Sequence, residues 1–419
     1  MNYARIAHRL REQIVKFSGE LSAGLPKVVG RFVTEAIYGI QARQSVRLTS
    51  IARSLGEKIA LKKTHYRLCR QLGRAGLWQK LTHALIKLAS RSVREDTLLV
   101  MDSSDICKRY AKKMEYLVRV YDGSEKRIAK GYWTCNVVAA ETGEVSLTPL
   151  YSKLYSQASP QFDSANDEML QAVDMVCQHT EKRGVWVLDR GGDRENIIHP
   201  LLERELSFII RLVGDRHLLY RGRKIRAHEL AKKCWLPYAE KVVKEEKGKE
   251  RIYMVQFGFR RVRLPGRKEL LSLVVIRGFG EEPMMLLSSL AMRKKRSLLW
   301  WVIESYLTRW RIEDTFRFIK QSYQLEDIRL LTYRRLQNMM ALIMAVAYFA
   351  FIYLGERTKL KVLALHVLKG ARRLFGIPNF HFYALADGIR EFLFSQKKTM
   401  QSFHLVLKTH NLQRNLFDP

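Results

Sequence analysis

The spacing of apolar residues divides the chain into segments of different predicted structure. Up to about residue 94, apolar residues recur every three or four positions, which predicts helices with one buried face. From residue 95, short continuous apolar runs replace that spacing, and such runs bounded by turn residues predict buried strands. Helical spacing returns at Ser297 and extends through the C-terminal part. The pattern predicts a mixed α/β protein with helical segments at both ends.

The order of the predicted elements after residue 95 indicates one kind of sheet. Three strands in succession, TLLVMD, GYWTCNVVAA and VSLTPLY, predict hairpins, and the turn ETGE joins the last two. A helix at about 163–182, the strand VWVLD, a helix from 193 to about 205 and the strand SFIIRLV follow. The order β-β-β-α-β-α-β predicts an α/β domain with a ribonuclease-H-like sheet.

Basic, turn-rich sequence of high β-propensity interrupts this order after the last strand. It ends in RKKR at 293–296, just before the helical spacing returns, and is therefore predicted to be an insertion. We expect a helical N-terminal domain, an α/β domain in two pieces, a β-rich insertion and a helical C-terminal region, over residues 1–94, 95–212 with 298–355, 213–297 and 356–419.

One segment has the length of a membrane span. Residues 336–355 carry no charge over 20 positions, and about 20 apolar residues suffice to cross a bilayer. Gln337 and Asn338 stand at the start of the segment, and no second stretch of this kind occurs in the sequence. A helix buried on all sides in a large domain fits this pattern better, so we predict a core helix and no membrane association.

The charge of the chain points to a polyanionic partner. Its 74 Lys and Arg against 41 Asp and Glu give a formal net charge of +33, a self-repulsion that is costly unless a polyanion is bound. Nucleic acid is the expected partner. Five scattered cysteines without a CxxC pair, and an N-terminus without a signal-peptide pattern, predict a protein of the reducing cytoplasm.

The N-terminal domain contains a basic helical pair. In LTSIARSLGEKIALKKTHYRLCRQLGR a short helix is followed by a break at Gly56 and then by a basic helix. This arrangement resembles a helix-turn-helix, which would direct Lys63, Arg67 and Arg70 of the second helix toward DNA. A solvated basic hairpin would have the same sequence pattern.

Two carboxylates follow apolar strands. Asp102 ends TLLVMD and Asp189 ends VWVLD, and ligands of open α/β sheets lie at the carboxyl ends of the strands. Neighbouring strands are about 5 Å apart, so two such carboxylates can share a pair of divalent cations. Each aspartate could instead serve its own turn, and Asp105 is a rival ligand beside Asp102.

A helical stripe supplies the third carboxylate. In YLTRWRIEDTFRFIK, helical spacing places Tyr306, Arg309, Arg317 and Lys320 within about 40° of Glu313. An acid among cations and a phenol suits a metal held beside a phosphate backbone, whereas a solvated helix is the alternative. With Asp102 and Asp189, Glu313 predicts a Mg²⁺ site for phosphodiester cleavage or transfer.

Together these motifs resemble those of DDE-type bacterial insertion-sequence transposases of the cut-and-paste class. That family carries a Tyr-x2-Arg-x3-Glu-x6-Lys signature, which Tyr306, Arg309, Glu313 and Lys320 match in full. LLVMDSSD and WVLDRGGDR stand at the places of the family's first and second aspartate motifs. The long insertion before the glutamate helix also resembles that of the family.

The resemblance implies the following activity, ligands and partners. Asp102, Asp189 and Glu313 would bind Mg²⁺, with Mn²⁺ able to substitute, while Tyr306, Arg309 and Lys320 would hold backbone phosphates. The protein would act in the bacterial cytoplasm near the nucleoid, as a dimer on double-stranded terminal inverted repeats. It would free a 3′-hydroxyl there and join it to target DNA.

Trp235 of the insertion resembles an aromatic residue that stacks on a base flipped out of the duplex. Core packing is the alternative for this tryptophan. Two other functions remain open for the whole chain. One is a structure-specific ribonuclease-H-like nuclease or resolvase, and the other is a non-enzymatic basic DNA-binding protein.

Overall fold

The computed structural model describes most residues of the chain. They are 3–108, 111–123, 125–143, 147–246, 249–292, 295–309, 318–354, 363–368 and 382–394.

Five helices form the N-terminal part, as the apolar spacing predicts. They are α1 (Tyr3–Leu21), α2 (Lys27–Arg43), α3 (Leu48–Leu55), α4 (Leu61–Leu72) and α5 (Leu77–Ala89). Gly56 ends α3 in the left-handed conformation with φ of 54°, a backbone state that glycine adopts at little cost. The basic segment is therefore two short helices joined by a tight turn.

A large mixed sheet follows, with helices between its strands. The first half consists of β1 (Leu98–Cys107), β2 (Val118–Asp122), β3 (Arg127–Ala140), β4 (Leu147–Tyr155), α6 (Ala165–Thr180), β5 (Val185–Leu188), α7 (Glu195–Glu203) and β6 (Ser207–Arg211). The sequence pattern predicts all of these elements except β2, whose five residues alternate in burial. The short length of β2 and its charged residues conceal that alternation.

The middle of the sheet is parallel. Strands β1, β5 and β6 lie side by side in that order, and all three run in the same direction. Strand β3 pairs antiparallel with the outer side of β1, and β2 and β4 pair with different parts of β3. The continuous apolar runs of β5 and β6 fit this position, because a parallel strand is covered on both faces.

The predicted insertion extends the same sheet. It contributes β7 (His217–Tyr220), β8 (Arg223–Arg226), α8 (Ala227–Lys232), β9 (Tyr238–Glu246), β10 (Lys249–Val262), β11 (Leu271–Arg277) and β12 (Met284–Ser288). Strand β12 pairs antiparallel with β6, and β11, β10 and β9 follow outward to give ten strands in all. Helix α9 (Arg296–Thr308) then returns to pack on β5, β6 and β10.

The uncharged segment after residue 335 forms a core helix. It runs as an α-helix over Tyr333–Tyr348 and continues as a π-helical turn over Phe349–Tyr353. This helix is long and apolar enough to cross a bilayer, yet 94% of its most apolar window is buried inside the protein. Its partners are protein side chains, which supports the predicted core helix.

The N-terminal helices share their core with this helix. Gln41 Nε2 on α2 donates to the Val346 carbonyl at 3.0 Å, and Asn338 Nδ2 donates to the Leu72 carbonyl at 2.7 Å. Asn338 Oδ1 also accepts from the Trp78 N–H at 2.9 Å, in the first turn of α5. Asn338, at the start of the apolar run, therefore satisfies backbone groups at the ends of two other helices.

The C-terminal region is described over two helical pieces. Residues 363–368 are helical, and a second helix spans Phe382–Phe394. Asp387 on that helix accepts from Gln44 Nε2 at 3.0 Å, so the chain returns to the N-terminal helices. The rest of the predicted helical C-terminal region lies outside the described residues.

Candidate active site

Asp102 and Asp189 lie side by side at the centre of the sheet. The parallel register pairs Val100 of β1 with Val187 of β5, so two residues further along each chain Asp102 corresponds to Asp189. Adjacent strands are about 4.8 Å apart, and corresponding residues point to the same face. Both carboxylates are half-buried. Asp189 directly follows β5, as the sequence predicts, but Asp102 lies within β1, which continues to Cys107, and not at its end. Extended by two residues, the register places the two carboxylates at corresponding positions of adjacent strands.

The turn after β5 fixes the direction of Asp189. One carboxylate oxygen, Oδ1, accepts from the Gly191 N–H at 2.7 Å. A Cβ on Gly191 would stand 2.9 Å from that same oxygen, and a Cβ on Gly192 would stand 2.7 Å from the Leu188 side chain. The two glycines are therefore needed because the backbone turns tightly against β5. No described residue makes a hydrogen bond to the other oxygen of Asp189.

Asp193, the other acid of this turn, has a structural role. Its carboxylate accepts from the Val213 N–H and from Arg216 Nε, each at 2.7 Å. Burial raises the pKa of Asp193, although the Val213 N–H and the Arg216 guanidinium act against it. These bonds tie the turn after β5 to the loop after β6.

The four signature residues fall in different surroundings. Tyr306 is fully buried and its hydroxyl has no hydrogen-bond partner among the described residues, while Arg309 is 7% exposed with its guanidinium carbon 5.7 Å from the Tyr306 ring. Both side chains therefore lie inside the protein rather than on the surface that phosphate contact was expected to require. Glu313 and Arg317 lie outside the described residues.

Lys320 is brought to strand β1. Its Nζ lies 3.7 Å from Asp105 Oδ1, and the side chain is 22% exposed. Because successive residues of a strand alternate between faces, Asp105 faces away from Asp102. Lys320 therefore reaches the strand that carries Asp102, on the opposite face of the sheet.

Asp105 belongs to a small group that could hold a metal ion. One ligand atom each from Asp105, Cys107 and Asp122 lies within 4.8 Å of the others. The Cys107 thiol donates to Asp105 Oδ2 at 3.1 Å, and burial, reinforced by the two carboxylates, raises the pKa of this thiol. A protonated thiol is a poor metal ligand, and Lys320 already pairs with Asp105. This group is therefore a weaker candidate than Asp102 with Asp189.

The exposed face of α4 is basic. Lys62, Lys63, Arg70 and Arg74 are exposed along the unit from α4 to the following turn, and Tyr66 is 59% exposed among them. Lys62 Nζ lies 5.7 Å from the centre of the Tyr66 ring. Lys63 and Arg70, two of the three residues predicted to face DNA, thus point to solvent.

Arg67, the third, lies in an ion-pair cluster within the domain. Its guanidinium pairs with the fully buried Glu35 and, at 2.9 Å, with Glu57, and Arg31 pairs with the same two acids. Burial alone would raise the pKa of Glu57, but the Thr64 hydroxyl and the Arg67 guanidinium lower it below its usual value. The prediction that Arg67 faces DNA does not fit these contacts, because helical spacing gave no sign of the acids on α2 and in the turn before α4.

Trp235 is an exposed residue at the rim of a cavity. Its side chain is 70% exposed, so it does not pack in the core. The cavity of about 470 Å³ is also lined by Tyr220, Tyr238, Arg260 and Arg261. The Arg260 guanidinium carbon lies 5.9 Å from the centre of the Tyr220 ring. Aromatic faces and guanidinium groups in one concavity suit a planar, electron-rich ligand.

Comparisons with known proteins gave a match to a family model and a similar solved structure. A family model described as the transposase DDE domain matches residues 93–350, which is more than half of the chain and includes Asp102, Asp189 and Glu313. No curated protein matches the chain. Among solved structures it is similar to a cryo-EM structure of the piggyBac transposase synaptic complex with hairpin DNA, at 12% identity and a TM-score of 0.48, covering 98% of this chain and 84% of that one.

Proposed function

Because the chain belongs to the family defined by the transposase DDE domain, we propose that Asp102, Asp189 and Glu313 together form its catalytic centre for DNA cleavage and strand transfer. One observation carries this assignment: the parallel register of β1 and β5 brings Asp102 and Asp189 to corresponding positions at the middle of the sheet. Glu313 completes the set on the strength of its place in the sequence signature.

The donor set fits a hard divalent cation. Carboxylate oxygens are the ligands that Mg²⁺ prefers. One oxygen of Asp189 accepts from the Gly191 N–H, and the other has no hydrogen bond from the part of the chain that the structure describes. We therefore propose Mg²⁺, with Mn²⁺ able to substitute, held by Asp102, Asp189 and Glu313. When bound by these carboxylates, such ions would supply activation of a water or 3′-hydroxyl and stabilisation of the leaving oxygen.

The protein itself supplies position and charge. The turn that follows β5 holds Asp189 in one orientation, and Lys320 pairs with Asp105 on the other face of the sheet. We propose that Lys320 and Arg317 meet backbone phosphates, and that Tyr306 and Arg309 reach DNA only after they leave their buried positions. While they remain buried, these two side chains support the packing of α9.

The order of strands β3, β1, β5 and β6 supports a ribonuclease-H-like sheet, with residues 95–212 and 298–355 as its domain. In this proposal residues 1–94 bind DNA, residues 213–297 are the β-rich insertion and residues 356–419 form a helical region. The partners are terminal inverted repeats and target DNA, on which two copies act together. A formal net charge of +33 supports a place beside the nucleoid in the bacterial cytoplasm.

Joining of DNA ends tests the function directly. A labelled duplex with a free 3′-hydroxyl at an element end is incubated with a target plasmid and Mg²⁺. We expect a covalently joined product that requires both Mg²⁺ and Asp102. Cleavage without any joined product would instead favour the structure-specific nuclease, an alternative that the family match does not support.

Lys63→Ala and Arg70→Ala are expected to weaken binding to element ends. The logarithm of the association constant falls linearly with the logarithm of the salt concentration, and each exposed cation that contacts a phosphate contributes about one unit to the slope. Each change should therefore lower the magnitude of that slope by about one. Fluorescence anisotropy over a salt series, with end and random duplexes, measures both the slope and the discrimination.

Arg67→Ala is the matched control on the same helix. Because its guanidinium is engaged by Glu35 and Glu57, this change should leave the salt slope unaltered while lowering thermal stability. Deletion of residues 1–94 is a poorer test, since α2 and α5 share hydrogen bonds with the core helix. Unchanged slopes in Lys63→Ala and Arg70→Ala would place recognition elsewhere in the chain.

Trp235→Ala is expected to slow cleavage or joining more than it weakens DNA binding. We propose that the cavity beside Trp235 receives an unstacked base, and stacking on an aromatic ring contributes about 1–3 kcal/mol per base. Such a contact forms in the distorted complex rather than on the initial duplex. Single-turnover rates measured beside equilibrium affinity separate the two effects, and equal rates in Trp235→Ala would refute the stacking proposal.

A further inference from the structure

A row of buried polar side chains crosses the sheet beside Asp102. Asn136 on β3 is completely buried, and Thr134 on β3 and Ser152 on β4 are each 2% exposed. Buried polar groups cost free energy unless they are hydrogen-bonded, and the neighbours Val137 and Val138 show that apolar residues fit this strand. Packing alone therefore does not account for polar side chains at these positions.

The hydrogen bonds of the row fix the direction of the Asn136 amide. The Ser152 hydroxyl donates to Asn136 Oδ1 at 2.6 Å, and Asn136 Nδ2 donates to the Thr134 hydroxyl oxygen at 2.9 Å. The Thr134 hydroxyl in turn donates to the Ser104 carbonyl at 3.1 Å, so its oxygen can only accept from Asn136. A flipped amide would leave two acceptors facing each other.

Asn136 stands directly opposite Asp102. The antiparallel register of β1 and β3 pairs the two residues, which places their Cβ atoms on the same face and about 4.5–5.5 Å apart. One N–H of the Asn136 amide goes to Thr134, and the second has no partner among the described residues. A fully buried donor of this kind normally has one.

We propose that Asn136 is a positioning residue for Asp102. When Asp102 binds a cation, the second N–H of Asn136 donates to the carboxylate oxygen that faces away from the ion. Ser152 and Thr134 hold the amide in the orientation that makes this possible. The inference rests on the proposed function, since it takes Asp102 as a metal ligand. Hydrogen bonds from such outer groups orient metal ligands in proteins.

Metal affinity tests the inference without reference to catalysis. Mn²⁺ is titrated into the full-length protein and the free ion is followed by electron paramagnetic resonance, with thermal melting as the measure of folding. Asn136→Leu keeps a side chain of similar shape but removes the donor, and we expect Mn²⁺ affinity to fall about 10- to 100-fold. Ser152→Ala removes the group that orients the amide and should weaken binding in the same direction by a smaller factor.

Cys135→Ala is the matched control. Cys135 is as buried as Asn136 and adjacent to it on β3, but its side chain lies on the opposite face, so Mn²⁺ affinity should not change. Wild-type affinity in folded Asn136→Leu would overturn the inference. If Asn136→Leu does not fold, wild-type affinity in Ser152→Ala overturns it. Wild-type affinity in Asp102→Asn would refute the ligand assignment of the proposed function instead.

Discussion

Asp102→Asn and Asp189→Asn are each expected to lower Mg²⁺-dependent strand cleavage by at least about a thousandfold while element ends are still bound. The amide keeps the shape of the side chain but loses the charge that holds the ions. Because the two residues lie at corresponding positions of adjacent strands, loss of either one removes half of the same oxygen pair. Single-turnover cleavage of a labelled end, beside an affinity measurement, separates chemistry from binding.

The double variant and Asp105→Asn are the informative controls for this prediction. Residues that act as one unit are not additive, so Asp102→Asn with Asp189→Asn should be no worse than either change alone. Asp105→Asn should retain most of the cleavage rate, because Asp105 faces Cys107 and Lys320 on the other side of β1. A complete loss in Asp105→Asn with normal rates in Asp102→Asn would move the metal site to the Asp105 group.

Ala347→Arg is expected to leave the protein insoluble or unfolded. Ala347 is fully buried in the core helix, and an unpaired charge there costs several kcal/mol, a large part of the stability of a folded domain. The soluble fraction after expression and the circular dichroism melting curve measure the effect.

Leu331→Arg is the control for this change. Leu331 lies just before the core helix and is 61% exposed, so the same substitution should be tolerated there. A folded, soluble Ala347→Arg would contradict the core position, and wild-type protein that stays with membranes after a high-salt wash would contradict the buried helix itself.

The strands that carry the two aspartates were predictable because each contains a local apolar signal. The apolar run VWVL is β5, whereas the run LLVM is only the first part of β1, which continues past Asp102 to Cys107 without a signal in the apolar pattern. The apolar 336–355 segment was likewise recognisable by length and composition, and its polar start by Gln337 and Asn338. Local sequence carries each of these features.

Features that depend on distant residues could not be predicted in this way. Helical spacing gives the face of Tyr306, Arg309 and Arg67, but it does not tell which other element covers that face. Strand pairing is equally non-local: the place of Asn136 opposite Asp102 follows from the register of β1 and β3, and the extension of the sheet by β9–β12 follows from the pairing of β12 with β6.

Cleavage by Glu313→Gln is the measurement that bears most directly on the catalytic centre. In the helix predicted from the sequence, spacing of about 100° per residue puts Glu304 on the side opposite Glu313, which makes Glu304→Gln the matched control. With Mg²⁺ and a labelled element end, we expect Glu313→Gln to bind DNA but not to cut it, and Glu304→Gln to cut at nearly the wild-type rate. Cutting at the wild-type rate by Glu313→Gln, or no cutting by a folded Glu304→Gln, would contradict the assignment of Glu313 to the catalytic centre.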